Sequence, residues 1–158
     1  MSTVTLNGLA LASGVCSPLH GSHHNGHLDS DDLVLKVTLS GERLVRQRGR
    51  EAVAREGEAI LLTSAEVAES RLRSRSRIVS FRIPLDTIRP MIVDLDGRLM
   101  QTIPRETEAL RLLISYVEAI GCMEALAAPE LRRFIVAHVH DLISLTIGAT
   151  RDAAKIAQ

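Results

Sequence analysis

The sequence predicts an α+β chain, a sandwich or small barrel of short strands followed by helices, and three observations carry that prediction. The apolar period is two up to about residue 84 and 3.6 from Leu85 onward. Turn signals built on glycine divide the first part into short runs at a spacing of roughly 8–12 residues, as in all-β sandwiches and barrels. A length of 158 residues, 46% apolar and 24% charged, suffices for one hydrophobic core and not for two domains.

Residues 1–30 are rich in Gly, Ser, His and Asn and end in Asp29, Asp31 and Asp32. They read as an irregular arm with one short strand near Val4 to Ala12. Residues 31–84 form the strand region. Leu33, Leu35, Val37 and Leu39 share one face of a strand whose other face carries Val34, Lys36 and Thr38, and Ser40-Gly41-Glu42 turns it. Leu44 to Arg48 is a second strand turning at Gly49, and Glu51 to Ala54 continues the hairpin. Glu56-Gly57 turns again before Glu58 to Thr63, and Arg77 to Ile83 is closed by Pro84, which has no N–H for a central ladder.

Residues 85–148 form the helical region. Pro104 suits a first helical turn, Glu106 and Glu108 complement the positive helix end, and the helix should run to Ile120 with Gly121 as its stop. Pro129-Glu130 opens a second helix that should end near Ile147, stopped by Gly148. In each helix the apolar arc covers about 220°, wider than the roughly 100° stripe that one contact surface needs. An apolar face is therefore expected to remain for a second subunit or another domain, with Leu131, Ile135, Val139 and Leu142 as candidate pairing positions. Residues 149–158 open a third helix with Thr150 as N-cap, which reads as the start of a linker whose continuation is missing.

Composition excludes several functions. Nineteen basic and nineteen acidic residues cancel, so no global basic field attracts nucleic acid. The charge is unevenly spread: residues 41–84 carry ten Arg against six Glu, a net +4, between two segments of −2 each. Aromatic residues make up 2%, leaving little to stack on bases. No apolar run reaches the roughly 18 residues of a membrane span and the start lacks signal-peptide logic, so a cytoplasmic protein is expected. Cys16 and Cys122 stand apart with no CxxC and read as free buried thiols.

Candidate chemistry is sparse. His20, His23, His24 and His27 lie close enough in sequence to share a metal, but no carboxylate or cysteine stands at fixed spacing beside them, and a solvated loop is the expectation. His138 and His140 point to different sides of a helix. Arg71, Arg73, Arg75 and Arg77 would align on one side of a strand, where they either bind an anion or protect an edge. Arg46, Arg48 and Arg82 share strand faces with Leu44, Ile78 and Ser80. If those faces point into a barrel, Arg46, Arg48, Ser80 and Arg82 line a pocket for an anionic small molecule; if not, they are surface groups. GxSxG, HExxH, P-loop and GxGxxG signatures are absent, so no enzyme, metal or cofactor is expected.

The stretch Leu39 to Glu51, the turn Glu56 to Leu62 and Phe81-Arg82-Ile83-Pro84 resemble the cupin-like N-terminal domain of AraC-type (AraC/XylS) transcription regulators. So do Ile103 to Glu106, Pro129 to Arg133, His138 to Leu142 and Gly148 to Ala154. The resemblance covers nearly everything after residue 30. It implies a cupin-like β-barrel, or double-stranded β-helix, that senses a small effector, followed by two or three C-terminal helices that make a homodimer. It further implies a linker to a C-terminal double helix-turn-helix domain, through which alone DNA would be bound and which lies outside this sequence. Enzymatic cupins carry two histidines and a glutamate on the strand that here reads Arg46-Gln47-Arg48, and a guanidinium cannot replace an imidazole ligand. The alternatives are a stand-alone cupin-like protein that binds a small molecule or partner, and a metal cupin that uses the histidines of the arm.

Overall fold

Strand period and burial agree along residues 33–38, where Leu33, Leu35 and Val37 on one face and Val34, Lys36 and Thr38 on the other are all buried. Such a strand needs a layer on each side, and the computed structural model supplies both. It describes residues 2–6, 9–16, 20–23, 32–92, 94–121 and 129–156. The strands are β1 (Ser2–Leu6), β2 (Leu9–Cys16), β3 (His20–His23), β4 (Asp32–Ser40), β5 (Arg43–Gln47), β6 (Arg50–Ala54), β7 (Ala59–Thr63), β8 (Ala68–Leu72) and β9 (Ser76–Pro84). A single-turn α1 (Leu85–Ile88), a 3-10 turn (Arg89–Met91) and a single-turn α2 (Leu95–Arg98) then lead to β10 (Thr102–Ile103), α3 (Glu108–Gly121) and α4 (Pro129–Ile156).

The strands pair antiparallel in two sheets, one ordered β1-β2-β9-β4-β7-β10 and the other β3-β8-β5-β6. Between the sheets lies one apolar cluster, containing Val34, Val45, Ile60, Leu62, Ala68 and Met100. The outer face of the larger sheet carries Leu33, Leu35, Val37, Leu61, Phe81 and Ile83, which share a second core with the helices. From α3 come Leu110, Leu113 and Val117, and from α4 come Ile135, Val139, Ile143 and Ile147. Helices thus cover one sheet while the other sheet closes the barrel, the layered solution that buries both faces of β4 and β9. Among the described residues no helix is long and apolar enough to cross a membrane.

The structure corrects the expected boundaries in four places. The irregular arm of residues 1–30 instead holds β1, β2 and β3, and β2 pairs with β9 over seven register positions from Ala10↔Arg82 to Cys16↔Ser76. The first long helix starts at Glu108 and not at Pro104, because Pro104 belongs to a turn closed by Thr107 N–H on its carbonyl at 3.1 Å. Gly148 does not stop α4, which runs 28 residues to Ile156, so no separate helix opens at Thr150. Arg71, Arg73, Arg75 and Arg77 do not form one row: Arg71 lies in β8, Arg77 in β9, and Arg73 and Arg75 in the bend between them. Cys122 lies outside the described residues.

Candidate functional site

Strand phase decides which polar groups face the space between the sheets. Val34 and Lys36 alternate with residues committed to the helix-side core, so Lys36 and Thr38 point toward the smaller sheet with Val34. In β5, Arg43, Val45 and Gln47 are buried while Arg46 is exposed, which puts Arg43 on the same face as Val45. Lys36 is 6% exposed, Arg43 4% and Thr38 1%, so an ammonium, a guanidinium and a hydroxyl sit inside the barrel. Arg43 Nε donates to Ser70 Oγ at 2.7 Å. Thr38 Oγ1 is buried with no hydrogen-bond partner among the described residues. Ser80 stands opposite Lys36 in the β4–β9 register, and Arg82 stands opposite Val34.

The end of the barrel near Asp32 is braced. Arg82 Nε donates to Asp32 Oδ2 at 2.6 Å, with both groups half-buried. Gln47 is committed to the turn after β7: its Nε2 donates to the carbonyls of Thr63 at 2.8 Å and Glu66 at 3.1 Å, and its Oε1 accepts from Thr63 N–H at 3.2 Å. Lys36, Thr38, Arg43, Ser70 and Ser80 therefore form the polar wall, and Val34, Val45, Ile60 and Leu62 the apolar one. Cationic and hydroxyl donors beside apolar surface suit a small molecule that presents a carboxylate or phosphate on an apolar body.

Two of the four expected pocket residues lie elsewhere. Arg46 points outward from β5 and ion-pairs with Glu51, whose hydrogen bond and charge push the guanidinium pKa further above its ordinary value. Arg48 sits in the β5–β6 turn with a left-handed φ of 55° and ion-pairs with Glu66 on the surface. Both are corrected to surface groups. Lys36 and Arg43 escaped the sequence reading, although each carried a signal. Lys36 is a charge in phase with Val34 on a strand whose other face is apolar, and Arg43 falls two residues before Val45.

The pairing positions also divide. Ile135 and Val139 are buried in the subunit's own core and cannot serve as an outer face; Leu131 and Leu142 are half-buried at its margin. Among the described residues of the two long helices, the large apolar side chains left open are Leu112 on α3 and Phe134 and Leu145 on α4, each at least 60% exposed. His138 lies between them, its Nδ1 3.1 Å from the Tyr116 hydroxyl and its ring 6.0 Å from that of Phe134. Burial raises the Tyr116 pKa. His20 and His23 bound β3, His24 and His27 lie outside the described residues, and among the described residues no three His, Cys, Asp or Glu are grouped to hold a metal.

Residues 1–147 match the family model described as AraC-binding-like domain. Among solved structures, the AraC-like transcriptional activator CuxR superposes with a TM-score of 0.78 at 13% identity, over 92% of this chain and 54% of that one. The cupin domain of an XRE family transcriptional regulator from Enterobacter cloacae matches with a TM-score of 0.43 at 13% identity, over 48% of this chain and 81% of that one. No curated protein matches the sequence. The fold is α+β, a cupin-like double-stranded β-helix with C-terminal helices, and the chain spans about half the length of the activator it superposes on.

Proposed function

The chain belongs to the AraC-binding-like domain family, and from that premise we propose that it is the effector-sensing and dimerisation domain of an AraC-type transcription regulator. The effector is a small molecule bearing an anionic group, held between the two sheets and released unchanged, with no metal or catalytic step. DNA is contacted by a separate domain, and the protein works in the cytoplasm. The observation that supports this reading best is the buried wall of Lys36, Arg43, Thr38 and Ser70 inside the barrel, with half-buried Ser80 opposite Lys36.

Binding favours one arrangement of the helices, and a second copy covers Leu112, Phe134 and Leu145. A thermal-shift screen of small carboxylates, aromatic acids and neutral sugars tests the effector class. Acids should raise the melting temperature with concentration and sugars should not. The Lys36→Met and Arg43→Met variants should lose that response while still melting cooperatively. A response to neutral sugars alone, or one that survives both substitutions, refutes the anionic reading.

A further inference from the structure

Three consecutive side chains, Arg98, Leu99 and Met100, enter three different parts of the molecule. Met100 is buried between the sheets with Val34, Ile60 and Leu62. Leu99 is buried in the core that the larger sheet shares with α3 and α4. Arg98 Nη1 donates to the main-chain carbonyl of Ile147 in α4. Two residues of chain span at most about 7 Å, so one short segment ties the inter-sheet cluster at Met100 to α4 at Arg98.

The segment is held firmly on one side. Met100 N–H donates to Leu61 O at 2.8 Å, and the following β10 pairs with β7 while Thr102 Oγ1 donates to Val53 O at 2.9 Å. Met100 itself has a φ of 63°, a left-handed conformation that a side chain adopts only when its surroundings impose it. On the other side, the turn of α4 before the anchored carbonyl is disposed to bend. Ser144 Oγ donates to His140 O at 2.9 Å and Thr146 Oγ1 to Leu142 O at 2.6 Å, back-bonds that loosen a helix, and Gly148 follows with no side chain.

We infer that Arg98-Leu99-Met100 is a mechanical relay between the inside of the barrel and the last two turns of α4. It rests on the reading that the effector occupies the inter-sheet space. A molecule entering there competes with Met100 for volume; Met100 yields, Arg98 leaves the Ile147 carbonyl, and residues 148–156 lose their anchor to the body of the domain. Occupancy of the barrel is thereby converted into freedom of the helix end.

Hydrogen exchange on the full chain, with no ligand added, tests the relay separately from the effector reading. Arg98→Met should speed exchange of amides 149–156 by about three- to tenfold, the loss expected for one hydrogen bond. Met100→Ala should produce the same change although Met100 belongs to the barrel cluster, and the double variant should exchange no faster than either single one. Normal exchange at 149–156 in a folded Met100→Ala protein, or additive effects in the double variant, overturns the relay and leaves the effector reading standing. Should far-UV circular dichroism show Met100→Ala unfolded, Arg98→Met alone decides: faster exchange of the Met100 amide supports the relay, and an unchanged rate overturns it.

Discussion

At the scale of single residues, strand phase and backbone sign separate side chains that composition treats alike. Arg43 and Arg46 are three apart on one strand, yet one is inside the barrel and the other is outside paired to Glu51. Arg46→Ala should therefore leave the urea unfolding midpoint essentially unchanged, because exposed ion pairs contribute little. Gly41 and Gly49 differ in the same way. Both have positive φ, but a Cβ at Gly41 would meet Ser76 Oγ at 2.1 Å, whereas nothing lies within 4 Å of one at Gly49. Gly49→Ala should cost about 1–2 kcal/mol from backbone strain alone, and Gly41→Ala clearly more. Equal losses would show that the Ser76 contact relaxes freely. Tyr116 is the only tyrosine, so it titrates visibly. Burial raises its pKa, and the sign is fixed: folding favours the neutral phenol, so stability is undiminished below the unfolded value near 10 and falls as pH rises beyond it. Tyrosinate absorbance at about 295 nm should appear at higher pH in the folded chain than in denaturant, and an earlier rise in the folded chain would contradict the burial.

At the scale of elements, the sequence displayed what depends on local pattern and hid what depends on partners. The period-two runs behind β4, β7 and β9, and the turns at Gly41, Gly49 and Gly57, were legible because alternation and positive φ are properties of short segments. β8 was not, since Ala68-Glu69-Ser70-Arg71-Leu72 has no strong alternation of apolar residues, and only pairing with β5 and β3 makes it a strand. Of the strands in the first 23 residues only one, near Val4 to Ala12, was legible; the rest were hidden because Ser, Gly and His say loop until β9 offers an unpaired edge. Gly148 misled because glycine breaks a helix only when no tertiary contact holds it, and Ile143 and Ile147 are buried just before it. The candidate site was half legible: the phase of Lys36 is visible in the sequence, but that of Arg43 requires knowing where β5 starts. The wide apolar arc of α4 resolves into a core half and an open half. Ile143→Ala should cost about 2–5 kcal/mol at any protein concentration. Phe134→Ser with Leu145→Ser should leave the isolated fold intact and, on the proposed dimerisation, abolish self-association in light scattering; a dimer that survives the pair would refute pairing through this face.

At the scale of the whole molecule, the larger sheet belongs to two cores at once. Its strands β4 and β9 present Lys36, Ser80 and Arg82 to the barrel and Leu35, Val79 and Phe81 to the helices, alternating residue by residue. Neither core can be lost without exposing one face of the same strands, so barrel and helices should melt as one unit. The chain has no Trp and its one Tyr is in α3, so tyrosine fluorescence reports the helical layer, while far-UV circular dichroism reports strands and helices together. The two melting curves should coincide, and both midpoints should rise with protein concentration if the open helical face binds a second copy. Phe81→Ala, at the centre of the shared sheet, should lower both midpoints together, with a loss of about 3–5 kcal/mol. A fluorescence transition that precedes the far-UV transition would mean that the helices are merely laid on the barrel, and the proposed effector between the sheets would then have no rigid path to the open helical face.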